Sequence, residues 1–432
     1  MTKIPELLCP AGSPEKLRYA LAFGADAVYA GIPRFSLRAK ENPYNNHSLK
    51  EDIEYCHSMN KKMYVTANIL PQNRKLESFK NSIATIADAG PDGIIMSDPG
   101  MIQYVRKEFP ELSIHLSVQT NTINWMSVAF WRDYGIKRII LSRELSMQEL
   151  REIHTQVPDI GLESFVHGSI CIAYSGRCLL SNYFNHRDAN QGTCTNSCRW
   201  EYNVKEELSE GEKPTQSPKG EYLIEEKGRG GDLMPIEEDE HGTYIMNSKD
   251  LRAIEHLDEL WGAGVESFKI EGRTKSIYYL SLITKAYRQA IDAMIAKKPF
   301  NSKLLDETEK TANRGFTTAF LLSASERATE KFDSPQEENL PQIYAGKVVN
   351  QRAGGWMEVD IKNRIEVGHE IEYISPQNNY RFQISAMEGA SGLALQVAHG
   401  GNGTVWIKTE GQIDPYALLS RVVDLPVSSS VS

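Results

Sequence analysis

Along residues 1 to about 300, short apolar runs alternate with longer stretches in which apolar positions recur every three or four residues. The runs are ELLCPAG, ADAVYAGI, KKMYVTANIL, PDGIIMSDPG, SIHLSVQTN, IKRIILSREL, IGLESFVHG and ESFKIEGR. Between them lie amphipathic segments such as SPEKLRYALAFG and LESFKNSIATIADAG. In the first of these, Ser13 followed by Pro14 reads as a helix cap with proline at the first helical position. Strands that alternate with helices imply a parallel sheet, and eight such units imply a closed (β/α)₈ barrel. The rival open sheet carries a glycine-rich dinucleotide fingerprint after its first strand, and PELLCPAGSPEK has none.

The seventh unit departs from this pattern. About seventy residues, 169–243, separate FVHG from TYIMNSKDL, too long for an ordinary barrel loop and therefore a functional insertion. Its first part holds cysteines. Its second part is polar, mixed in charge and rich in Gly and Pro, and reads as a solvated flap. Beyond residue 300 the period changes again: a helical connector and polar linker span 301–340, and short alternating strands from 341 to 426 predict a small antiparallel β-barrel.

Composition narrows the picture. The 432 residues carry a net charge of −9, which argues against a broad nucleic-acid footprint but leaves room for a local basic groove. No window approaches the roughly 18 apolar residues of a membrane helix, and the N-terminus lacks a secretory pattern, so the expected location is cytoplasmic, with no membrane partner. In that reducing compartment clustered cysteines point to metal or catalysis rather than disulfides. Four of the six cysteines fall in one short stretch, Cys171, Cys178, Cys194 and Cys198, with spacing C-x6-C-x15-C-x3-C. Four thiolates suit tetrahedral zinc or an iron–sulfur cluster. Only the second pair has a zinc-ribbon gap, and the loop opens onto the catalytic face, which favours the cluster. Cys9 and Cys56 read as core residues.

Barrel enzymes keep their chemistry at the C-terminal ends of the strands. Those ends carry Asn68, Gln119, His167 and Glu271 as candidates to hold or move a proton. Arg143, Lys249, Lys269, Arg273 and Lys275 give a cationic mouth suited to an anion, since arginine forks onto carboxylate or phosphate. Simple ion pairing along the rim is the competing reading for these charges, and a satisfied rim histidine, or a donor that supports another group, is the competing reading for His167. Tyr174, Tyr183 and Trp200 interleave with Arg177, Arg187 and Arg199 around the cysteines. Tyr174 in particular suits stacking on an unpaired base, although aromatics there could equally pack the insertion onto the barrel.

The run ESFVHGSICIAYSGRCLLS resembles the signature of the collagenase-like peptidase family. PELLCPAGSPEKLRYALAFGADAVYAG, GPDGIIMSDPG, HLSVQTNTINW, AYSGRCLLSNYFNHRDANQGTCTNSCRWEYNV, HGTYIMNSKDLRAIEHL and SFKIEGRTKS extend the resemblance over nearly the whole chain. Despite the family's name, its better understood members resemble hydroxylases or their accessory proteins. The resemblance implies an oxidoreductase forming 5-hydroxyuridine at the wobble position of the tRNA anticodon loop. It also implies prephenate as co-substrate or cofactor, and a 4Fe-4S cluster delivered by iron–sulfur assembly machinery. Carried onto the matching positions, the cluster ligands are Cys171, Cys178, Cys194 and Cys198. A peptidase would need a thiolate with its base and orienting group, or an H-E-x-x-H run, and neither is present. A non-catalytic scaffold stapled by zinc is the remaining alternative.

Overall fold

In the computed structural model the described residues are 4–32, 35–37, 43–171, 173–191, 193–196, 198, 222–225, 233–238, 243–244, 249–313, 315–322, 341–401 and 403–423. The eight expected barrel strands are present. They are β1 (Glu6–Pro10), β2 (Ala27–Gly31), β3 (Lys62–Thr66), β4 (Gly93–Met96), β5 (Ile114–Leu116), β6 (Arg138–Ile140), β7 (Gly161–Ser169) and β8 (Val265–Ile270). Each pairs in parallel with the next, and β8 pairs with both β7 and β1, which closes the cylinder. The strands read as continuous apolar runs because both faces are covered, by helices outside and by lumen side chains inside.

Local chemistry sets where each helix begins. Ser13 accepts from Lys16 N at 3.2 Å with Pro14 beside it, as the sequence predicts. Asp98, a strand-end carboxylate that could be mistaken for a catalytic group, caps helix Pro99–Glu108 by accepting from Met101 N at 2.9 Å.

The insertion is pinned at both ends. After it, the short strand Asp250–Arg252 runs antiparallel to the end of β7, with Arg252 opposite His167, and also pairs with Phe316–Thr317. Within the polar part, the segments Tyr222–Glu225, Leu233–Glu238 and Thr243–Tyr244 pair as a three-stranded antiparallel sheet. This differs from the structureless flap expected there: the alternation in YLIE and LMPIEE is enough for strand pairing once the surrounding charge is solvated. The remainder of that flap, Arg199, Trp200 and the linker at 323–340 lie outside the described residues.

Residues 342–422 form an eight-stranded antiparallel sheet whose core includes Ala345, Met357, Val359, Ile371 and Ile407. It joins the barrel through Tyr19, Phe23, Tyr278 and Leu282 against Ile374 and Leu418, reinforced by Lys310 to Glu372 at 2.8 Å. This contact engages the first and last barrel helices, Pro14–Ala22 and Ile277–Ile295.

Candidate active site

The lumen of the barrel is charged, and its charges are satisfied. Glu163 on β7 is fully buried and meets Lys269 Nζ on β8 at 2.7 Å and Arg138 on β6 at 3.3 Å. Arg138 also donates to Glu6 on β1 at 2.6 Å, and Ser267 and Tyr64 hydroxyls donate to the same carboxylate at 3.0 and 2.8 Å. Burial works against the Glu6 carboxylate, but Arg138 outweighs it and holds the group below its ordinary pKa. Burial lowers Lys269, with Glu163 opposing the shift. Lys269 was expected at the mouth as an anion ligand; the structure places it inside the lumen, because a partner 106 residues away in sequence claims its ammonium.

Above this layer a ring of uncharged polar groups closes the strand ends. The Oγ of Ser97 donates to the Asn68 carbonyl at 2.7 Å and lies 3.3 Å from Gln119 Oε1, and Ser117 Oγ donates to that same Oε1 at 3.1 Å. Asn68 is held from both sides, by Leu37 N at 3.2 Å and by Ser117 Oγ at 3.3 Å. The Ser117 hydroxyl therefore fixes the carbonyl end of the Gln119 amide. Its buried Nε2 has no partner among the described residues, nor has Ser142 Oγ nearby in sequence to Arg143. Buried amide donors without partners are uncommon, and such a group is spare capacity for a ligand. Ser97, Ser117 and Ser142 carry no signal in sequence beyond their place at strand ends.

The cationic rim divides in two. Arg273 is committed to structure: its guanidinium donates to Leu37 O at 2.5 Å and Thr66 Oγ1 at 3.1 Å, and its own carbonyl accepts from Lys16 Nζ at 3.1 Å. A Cβ at Gly12 would overlap that carbonyl, and one at Gly31 would overlap the guanidinium, so both positions need glycine for the arginine to sit there. Arg143 is different. It lies over the Phe165 ring at 3.9 Å and stands 3.9 Å from Glu271, with no hydrogen bond among the described residues. Lys275 lies 5.3 Å from the Tyr279 ring, and Lys249 is half-buried beside the strand that follows the insertion. The Glu271 backbone is built into the wall, its N–H donating to His167 O and its carbonyl accepting from Tyr279, both at 2.9 Å.

His167 does not reach the mouth. The pairing of β7 with β8 slips at Val166, between Lys269 and Ile270, and the imidazole packs among Tyr279, Tyr287 and Phe316. Tyr287 donates its proton to Val166 O at 2.7 Å, so at 3.2 Å its oxygen accepts from His167 Nδ1, which fixes the tautomer. Burial pushes the imidazole down to about 3, and it is neutral at any physiological pH. This is the satisfied-histidine arrangement rather than an acid or base.

The cysteine loop is docked onto the end of β5. Asn121, in the left-handed region at φ 49°, donates to Ser175 O at 3.1 Å and accepts from Arg177 Nε at 3.1 Å. A Cβ at Gly176, φ 76°, would lie 3.2 Å from the Gln119 Cβ, so the turn sits directly on the orphaned amide's residue. The two halves of the loop are tied together by Asn190 to the Cys178 carbonyl at 3.1 Å and by Ser181 Oγ to Thr195 at 2.8 and 2.9 Å. Cys171 and Cys194 are exposed, Cys178 and Cys198 half-buried, and none of the four is in a disulfide. Their donor chemistry, thiolate only, suits iron–sulfur or zinc. Among the described residues no three metal-ligating side chains are gathered within reach of one ion. Cys9 and Cys56 lie in the core, where burial pushes both thiols up to about 12 and leaves them inert.

The profile described as Peptidase family U32 matches residues 12–331, and that of the Peptidase family U32 C-terminal domain matches residues 341–420. The chain belongs to peptidase family U32. Among its U32 relatives, the tRNA hydroxylation protein P of Escherichia coli (strain K12) is 47% identical over 96% of each chain. The 23S rRNA 5-hydroxycytidine C2501 synthase of the same organism is 32% identical, covering 80% of this chain and 48% of that protein. The collagenase of Porphyromonas gingivalis (strain ATCC BAA-308 / W83) is 30% identical over 86% of each chain. The U32 fold thus carries names from two chemistries, and the site has to decide between them.

Proposed function

We propose that this protein is a tRNA hydroxylase that converts the wobble uridine of the anticodon loop to 5-hydroxyuridine in a prephenate-dependent reaction. The carrying observation is the near full-length 47% identity to tRNA hydroxylation protein P. The geometry is in keeping with it and disfavours proteolysis. His167 is sealed from the mouth and neutral, so Cys171, four residues on, has no base in it.

In this reading Cys171, Cys178, Cys194 and Cys198 hold a 4Fe-4S cluster, with zinc as the alternative occupant. When bound, the cluster supplies the one-electron chemistry that side chains lack. The chain's own residues do the binding. Arg143, with Lys249 and Lys275 on the same rim, holds the carboxylates of prephenate; Arg143 is suited because its guanidinium is positioned by Phe165 yet makes no direct hydrogen bond among the described residues. Gln119 and Asn68 supply amide edges for the uracil ring, and the half-exposed Tyr174 stacks on an anticodon-loop base. Glu271 balances Arg143 and holds it toward the mouth. The iron–sulfur assembly machinery is the expected partner for loading, and the cytoplasm the expected compartment. No helix among the described residues is long and apolar enough to cross a membrane.

The test is direct: the purified protein is incubated with tRNA lacking wobble modification, with and without prephenate, and nucleosides are quantified by mass spectrometry. 5-Hydroxyuridine that appears only with prephenate is the expected result. Cleavage of denatured collagen with no change in the tRNA would overturn the reading.

A further inference from the structure

We propose that the segment following β5 is a stacking platform for unpaired RNA bases, with Trp125 and Met126 as its centre and Tyr174 as its neighbour on the cysteine loop. This rests on the tRNA reading above and says which face of the protein holds the loop.

Single exposed apolar residues are ordinary on any protein surface. Here they are grouped. Ile123, Trp125 and Met126 are 42%, 37% and 66% exposed, and Tyr174, Leu179 and Tyr183 on the cysteine loop are 46%, 69% and 80% exposed. The two groups belong to segments bonded to each other by Asn121, through Ser175 and Arg177. The two exposed apolar groups therefore lie on neighbouring segments at the C-terminal end of β5.

The backbone leading into Trp125 is held by local bonds. Asn121 takes a left-handed backbone, Thr122 is buried, and Asn124 caps the helix Trp125–Asp133 by accepting from Ser127 N at 2.9 Å. Its surroundings select the partner. Arg177 and Arg187 are exposed on the adjoining loop, which sets two cationic groups beside the apolar residues of a chain whose net charge is −9. Arginines interleaved with exposed aromatics match single-stranded nucleic acid, where bases stack on rings and phosphates meet guanidinium groups. A uridine can reach Gln119 only after leaving its stack, and the flanking bases then need a replacement surface. Trp125 and Met126 offer one six and seven positions beyond Gln119 in the chain.

The probe is an anticodon stem-loop RNA with an unmodified wobble uridine, its dissociation constant measured by fluorescence anisotropy across a salt series. Trp125→Leu should weaken binding by about tenfold, whereas Trp125→Phe, which keeps a ring, should stay within about threefold of the parent, since base–aromatic stacking is what is lost. The salt slope should be the same for all three, because no phosphate contact is removed. Leu393→Ser, 70% exposed on the C-terminal sheet, should bind like the parent. Equal affinity for the leucine and parent proteins overturns the platform alone. Equal weakening by leucine and phenylalanine overturns stacking as its basis. Failure of the parent to bind the stem-loop at all overturns the tRNA reading, and the platform with it.

Discussion

In the lumen of the barrel, Lys269 and Glu163 meet at 2.7 Å with both side chains sealed from water; at the mouth, Arg143 and Glu271 stand 3.9 Å apart and remain partly open. The residue types are alike and their circumstances opposite. A buried charge is tolerated only when its partners are complete, and the lumen completes them with Arg138, Glu6, Tyr64 and Ser267. The mouth leaves bonding capacity unspent in the Arg143 guanidinium, the Gln119 amide and the Ser142 hydroxyl. The complete network specifies the barrel, and the spare donors at the mouth are available to a ligand.

Breaking the lumen should cost most. Lys269→Met leaves Glu163 with Arg138 alone, and denaturant unfolding should show a loss of about 3–5 kcal/mol. Restoring neutrality with Glu163→Gln in the same chain should recover much of that loss. A single Lys269→Met change worth less than about 1 kcal/mol would remove the distinction between the two regions.

The mouth should respond in the other way. Arg143→Gln is expected to shift stability by less than about 1 kcal/mol, because at 3.9 Å from Glu271 the guanidinium makes no hydrogen bond there for the substitution to break. It should nevertheless raise the prephenate concentration needed for half-maximal hydroxylation by about tenfold or more, the scale of a charge-assisted hydrogen bond. Unchanged prephenate dependence would put the anion elsewhere on the rim.

A pH-dependent effect sharpens the placing of His167 on the buried side. Its folded pKa of about 3 lies below the ordinary value, so between the two the unfolded chain binds a proton that the folded chain refuses. That stability is fully present above about pH 6.5 and is lost as pH falls toward 3, at up to about 1.4 kcal/mol per pH unit. His115, lowered by burial in the same direction, adds to the trend. His167→Gln should therefore flatten the acid limb of thermal stability without altering the pH profile of hydroxylation above neutrality. A changed activity profile with an unchanged acid limb would return His167 to the catalytic group.

Much of this architecture is legible in the sequence, for a physical reason. Strand–helix alternation is a local property, and each of the eight apolar runs reports burial on both faces without knowledge of its neighbours. The cysteine spacing is local too. What escapes is set by pairing across the chain: the partner of Lys269 lies on another strand, and the carbonyl that occupies Arg273 belongs to Leu37. His167 escapes because a slip of register at Val166 breaks the alternation from which a lumen-facing position would be inferred. The Trp125 strip escapes because apolar residues opening a helix read as core, and only the fold shows that they stay exposed.

The most direct measurement of the central claim is the metal content of the cysteine loop. Protein purified anaerobically, as the parent and as Cys171→Ala, is analysed for iron, acid-labile sulfide and zinc, with its visible spectrum recorded. The account predicts broad absorption near roughly 400 nm with about four irons and four sulfides per chain in the parent, lost in the variant. A colourless parent holding one zinc per chain would contradict it and make the loop a structural staple on the barrel.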